Sequence, residues 1–245
     1  MKEESVSVKQ GKKALFYLIV QYQTDKIEAE RTIQMGNGNR GNTMIIKNGL
    51  VFTPEGKFEK KDFYIEGEYV AKETTDNKEV EAEGCYVIPG LVDIHFHGCV
   101  RHDMCDGTEE SIQALADYEA ANGVLAICPA TMTIPEEELF QAMNAAREHK
   151  NGKGADLVGI NMEGPFVNKE KKGAQKEEDI KLADVELFHK LQEAAGGLIK
   201  LVDLAPETEG AMDFINQVKD EVHVSIAHTM ADYDTATEAI NRGVD

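Results

Sequence analysis

Pro89-Gly90-Leu91-Val92-Asp93-Ile94-His95-Phe96-His97-Gly98 is an apolar run that ends in two alternating histidines. Alternate side chains of a strand share a face, so His95 and His97 are expected to project together from its C-terminal end. Two imidazoles about 6–7 Å apart along a strand can take adjacent positions on one divalent metal. Taken alone, the pair is equally compatible with two loop histidines that bind nothing.

Downstream of this stretch the pattern repeats as strand, loop, helix. Strand candidates are Leu91–His97, Val124–Cys128, Leu157–Met162, Ile199–Leu204 and Val222–Ala227, and their nearly continuous apolar character suits a buried parallel sheet. Helical patterns lie between them. One follows the cap candidate Thr108 and carries Ile112, Leu115 and Ala116. The next opens at Pro135 with Glu136, Glu137 and Glu138, acids that oppose the macrodipole, and carries Leu139, Met143 and Ala146 on one face. A third has Leu187 and Leu191 and stops at Gly196-Gly197, and the last runs from Tyr233 to Arg242 after Asp232. Such alternation implies an open doubly wound sheet or a closed (β/α)8 barrel. No Gly-x-Gly-x-x-Gly or Walker loop follows the first strand; the first βα turn carries histidines instead. The expected fold class is α/β with five βα units over residues 89–245; a partial (β/α)8, TIM-type barrel is the arrangement that the resemblance given below implies.

Upstream, residues 44–88 read as short strands separated by Asn48-Gly49, Pro54-Glu55-Gly56 and Glu66-Gly67, part of a small β-sandwich domain. Residues 1–43 run from a charged start through Ala14–Val20 to the Gly/Asn-rich stretch 36–42, which reads as a flexible linker. That extension has no assigned function.

The chain has 245 residues, a formal net charge of −19 and four cysteines. So acidic a surface argues against nucleic acid and anionic membranes as partners, because both are bound through Lys and Arg. A small anionic substrate stays compatible, since a few local donors outweigh distant charge. No apolar run reaches the ~18 residues of a membrane helix. Ala14–Val20 is short, and Glu3 and Glu4 spoil a signal-peptide n-region. Cys85, Cys99, Cys105 and Cys128 form no Cys-x-x-Cys pair and read as reduced thiols of a cytoplasmic protein.

Two further side chains join the histidines. Glu163, in Asn161-Met162-Glu163-Gly164-Pro165, ends the third strand just before a Gly-Pro break. His228 ends the fifth and shares its face with Val224 and Ile226. His223 has the opposite parity and reads as structural, while His102, His149 and His189 read as solvated loop or helix residues. Strand ends one, three and five thus supply His-x-His, Glu and His to one mouth, where barrel enzymes place their chemistry. Histidine and carboxylate ligands without thiolate suit Zn or Fe, and such a centre serves to activate water against a polarised carbonyl.

From Met44 onward the chain resembles the N-acetylglucosamine-6-phosphate deacetylase family of the amidohydrolase superfamily. The matching pieces are Pro89–Gly98, Pro129-Ala130-Thr131, Glu163-Gly164-Pro165-Phe166, Lys172-Gly173-Ala174-Gln175, Leu204-Ala205-Pro206-Glu207 and Ala227-His228-Thr229. The resemblance implies that Glu163 and His228 ligate the catalytic metal, and that His95 and His97 hold a further one. It implies that Ala174 and Gln175 lie in a loop contacting the sugar. The implied substrate is a phosphorylated N-acetylated amino sugar, cleaved to glucosamine 6-phosphate and acetate in amino-sugar catabolism by a protein that is a homo-oligomer when complete. It also implies another metal-binding His, and an Asp acting as general acid and base, beyond Asp245. The corresponding expectation is that these 245 residues alone are an incomplete and inactive piece, metal-binding at most. The alternative is a cyclic-amide hydrolase of the dihydroorotase or dihydropyrimidinase type, which uses a modified Lys at the end of strand four. Here that end reads Val202-Asp203-Leu204-Ala205, with Lys200 at the other end.

Overall fold

A computed structural model of the protein describes residues 17–21, 43–66, 69–74 and 78–245. The stretch 36–42, expected as a linker, lies outside the described residues. The chain divides into two compact units, residues 1–91 and 92–245.

The first unit is a sheet in the order β1 (Tyr17–Gln21), β6 (Cys85–Pro89), β2 (Met44–Phe52), β3 (Phe58–Glu66), β4 (Tyr69–Ala71), with β5 (Glu79–Glu81) also paired to β2. Part of the extension therefore belongs to the sheet: β1 runs antiparallel to β6, with Ile19 opposite Val87. Asn48-Gly49, expected as a turn, is instead a bulge within the unbroken strand β2. Asn48 has a left-handed φ of 60° and donates its N–H to Asp62 Oδ1 at 3.0 Å. The extra residue flips the parity, so that Met44 and Ile46 before it and Val51 after it all enter the core. Gly49 is required there, because a Cβ would stand 2.6 Å from Val87 Cγ2.

In the second unit β7 (Leu91–Asp93) is shorter than expected, and His95 and His97 lie just beyond it. After the two-residue strands β8 (Gly98–Cys99) and β9 (His102–Asp103) come α1 (Glu109–Ala121), β10 (Val124–Ile127), α2 (Glu136–Glu148), β11 (Asp156–Leu157) and β12 (Ile160–Glu163). These are followed by α3 (Val185–Ala194), β13 (Ile199–Leu204), α4 (Ala211–Val218), β14 (His223–Ile226) and α5 (Tyr233–Arg242). Strand β7 lies beside β10, with Cys128 N donating to Asp93 O at 2.8 Å and Ala130 N to Phe96 O at 2.7 Å. A parallel bridge, Ala130 to Asn161, leads on to β12, which pairs in parallel with β13, and β13 with β14. The strand ends that bear His95, Glu163 and His228 therefore follow one another along the same side of a parallel array.

The helices form where expected, for the expected reasons. Thr108, Asp184 and Asp232 cap α1, α3 and α5 by accepting from Ser111, Leu187 and Thr235 N–H groups. Helix α4, unforeseen, repeats the same logic: Ala211, Phe214, Ile215 and Val218 recur at helical spacing and are all buried. His149 corrects the expectation of a solvated residue, its side chain being only 1% exposed. It continues the buried stripe Leu139, Ala142 and Ala146 of α2 one turn further. His102 bonds Ser111 Oγ at 3.1 Å, while His189 stays on the surface beside Glu221. The four cysteines are free thiols, and burial pushes Cys105 and Cys128 up to about 12. Among the described residues no helix is long and apolar enough to cross a membrane.

Candidate metal centre

Glu163 ends β12 with 4% of its surface exposed, and three imidazoles converge on its carboxylate. His95 Nε2 lies 3.0 Å and His97 Nε2 3.3 Å from Oε2, and His228 Nε2 lies 2.7 Å from Oε1. The donor atoms of His95, His97 and Glu163 all fall within 4.8 Å of one another. The two histidine rings stand edge-on at 5.3 Å between centroids, so each presents a separate nitrogen to the same oxygen. The chain leaves the site through Gly164, where φ is 77° and a Cβ would stand 2.2 Å from Thr133 Oγ1. Only glycine turns there without pushing β12 away from the loop after β10.

A tier of neighbours, of which Asn161 and Asp203 were unnoticed in the sequence, holds these groups. Gln175 is buried; its Nε2 donates to Glu163 Oε1 at 2.5 Å, and its Oε1 accepts from Thr133 N. Ala174, beside it, is exposed. Asn161 Nδ2 lies 3.0 Å from His95 Nδ1, and Asp203 Oδ2 lies 3.8 Å from the same nitrogen. Ser225 Oγ donates to the other oxygen of Asp203. The signal for these two was present: Asn161 shares strand parity with Glu163, and Asp203 is an acid inside an apolar strand.

The donor set fits a divalent cation. His228 Nδ1 faces Lys171 O at 2.7 Å, and a carbonyl only accepts, so Nδ1 carries the proton. Nε2 then faces Glu163 Oε1, where either a second proton on the ring or a cation between the two atoms makes the contact favourable. Asn161 Oδ1 is buried with no hydrogen-bond partner among the described residues. A half-turn of that amide gives Oδ1 the His95 Nδ1–H and frees Nε2 as a ligand, the usual orienting role of a ligand histidine's outer nitrogen.

Burial alone would raise the Glu163 carboxyl, but hydrogen bonds from His97 and His228 outweigh it and hold it at about 2. The Glu163 carboxylate in turn raises His97 above the ordinary imidazole value. Burial raises Asp203, against the opposing bond from Ser225. Glu163, depressed from 4.5, adds stability above that pH which is lost as pH falls toward 2. His97, raised from 6.5, adds stability below that pH which is lost as pH rises through its folded value. The metal-free protein therefore gains most from this cluster between about pH 4.5 and 6.5. Melting temperatures measured in chelator should fall on both sides of that window and lose this dependence in Glu163→Gln. An unchanged profile in the variant would count against the pairing.

No family model matches the chain. A curated relative named N-acetylglucosamine-6-phosphate deacetylase, from Bacillus subtilis, is 36% identical over 206 residues, 81% of this chain and 50% of its own length. Another, named N-acetylgalactosamine-6-phosphate deacetylase, from Escherichia coli O157:H7, is 28% identical over 207 residues, 83% of this chain and 55% of its own. The crystal structure of N-acetylglucosamine-6-phosphate deacetylase from Pasteurella multocida matches with a TM-score of 0.74 at 22% identity, covering 83% of this chain and 55% of that one. That match gives this chain the mixed α/β fold of the solved deacetylase over the part it covers. Over about four-fifths of its length the chain is thus similar in sequence and fold to N-acetylglucosamine-6-phosphate deacetylases, and it spans about half the length of the curated relatives it matches.

Proposed function

We propose that the chain carries the metal-binding part of a deacetylase that releases acetate from N-acetylglucosamine 6-phosphate, built on the first five units of a (β/α)8 barrel. The observation that carries this reading is the convergence of His95, His97 and His228 Nε2 atoms on the two oxygens of buried Glu163. Bound there, Zn or Fe would supply Lewis acidity toward an amide carbonyl and lower the pKa of water. Glu163 and His228 would hold the catalytic ion, and His95 and His97 would complete the centre or hold a second. Asn161 and Asp203 keep the His95 ring oriented, and Gln175 braces Glu163 through its side-chain amide. Ala174, exposed on the same loop as Gln175, contacts the sugar. The cyclic-amide reading is disfavoured by β13, where Lys200 is exposed and its Nζ donates to Gly197 O at 2.7 Å, away from the mouth. A complete chain containing these residues, loaded with Zn or Fe, should release acetate from N-acetylglucosamine 6-phosphate and hydrolyse dihydroorotate or hydantoins poorly. Preferential hydrolysis of dihydroorotate would overturn the substrate assignment.

A further inference from the structure

Glu207 stands apart from the cluster, in the turn between β13 and α4, and no role above uses it. Its carboxylate gathers three hydrogen bonds from two other loops. Oε1 accepts from Asn168 Nδ2 at 2.7 Å and from Met230 N at 2.6 Å, and Oε2 accepts from the Thr229 hydroxyl. Asn168 N in turn donates to His228 O at 3.0 Å, and Ala231 N donates to Thr229 Oγ1 at 2.8 Å. Glu207 therefore grips the chain at His228 and just after it. It reaches the two following residues directly and the His228 carbonyl through Asn168.

His228 needs such a grip. Its φ is 45°, in the left-handed region that a residue with a Cβ enters only when its surroundings hold it there. That backbone conformation accompanies an Nε2 aimed at Glu163 Oε1 and an Nδ1 aimed at Lys171 O, both at 2.7 Å.

We propose that Glu207 is a positioning residue for His228: by fixing Thr229, Met230 and Asn168 it holds the left-handed turn that aims the imidazole at the metal centre. This rests on the metal reading above. A purely structural role would stabilise the loop without coupling to the histidine. Co²⁺ binding to the 245-residue chain, followed by visible absorption, separates the two. Glu207→Ala should weaken Co²⁺ binding about tenfold and alter the ligand-field bands, and Glu207→Gln should recover part of the loss by keeping one acceptor oxygen. Thr229→Val, which removes one donor and leaves Glu207 in place, should weaken binding about threefold, and it serves should Glu207→Ala fail to fold. In a His228→Ala background neither change should alter affinity by more than about twofold, the signature of action through a shared partner. Equal losses in both backgrounds, or wild-type affinity and bands in folded Glu207→Ala, would overturn the proposal while leaving the metal centre standing. A wild-type chain that binds no Co²⁺ would overturn both.

Discussion

Glu163→Gln is expected to lower divalent-metal affinity by about 100-fold or more, roughly 2.7 kcal/mol or above. The substitution keeps the shape of the side chain and removes its charge, so packing at the end of β12 is retained while the anion is lost. Four partners depend on that anion: His95, His97 and His228 by their Nε2 atoms, and Gln175 by its amide. An amide replaces one of the acceptors with a donor, and three imidazoles then face a group that cannot balance a cation. Metal analysis after dialysis, with circular dichroism to confirm folding, measures the effect. Wild-type metal content in the variant would show that Glu163 is a structural acid.

Phe166→Ala is expected to cost about 3–5 kcal/mol, the usual penalty for emptying a large buried aromatic site. Phe166 has no exposed surface and meets Phe214 at 5.2 Å between ring centroids, and Phe214 meets Phe188 at 5.8 Å. These rings join the loop after β12 to helices α3 and α4. With total stability of only about 5–15 kcal/mol, the loss should lower the melting temperature by roughly 10 °C or more. It should weaken metal binding too, because the Phe166 carbonyl accepts from Ala205 N and Asn168, two residues on, holds the His228 carbonyl. A melting temperature within about 2 °C of wild type would show that this cluster repacks without a cavity.

What was legible in the sequence is what depends on a period. His95 with His97, Glu163 and His228 could be placed on strand ends because apolar strands alternate with helical patterns, and the structure brings all four together. The misses arise where one residue breaks the period or one side chain changes tier. Asn48 looked like a turn residue, yet cross-strand bonds to Asp62 and Glu81 absorb its left-handed φ as a bulge. His149 looked polar by type but lies on the buried stripe of its helix. Gln175 was named only through the family resemblance and gave no periodic signal, because its contact with Glu163 is made by a loop returning over the strand end. Asp203 was readable as an acid inside an apolar strand; its partners Ser225 and His95 are visible only once β13 and β14 pair.

The most direct test of the metal centre is anomalous diffraction from Zn²⁺-soaked crystals of the protein. The predicted result is a peak in contact with Glu163 Oε1 or Oε2 and with the Nε2 atoms of His228, His95 and His97, at ligand distances of about 2.0–2.2 Å. Anomalous density confined to surface carboxylates, with Glu163 still directly hydrogen-bonded to the three histidines, would contradict it.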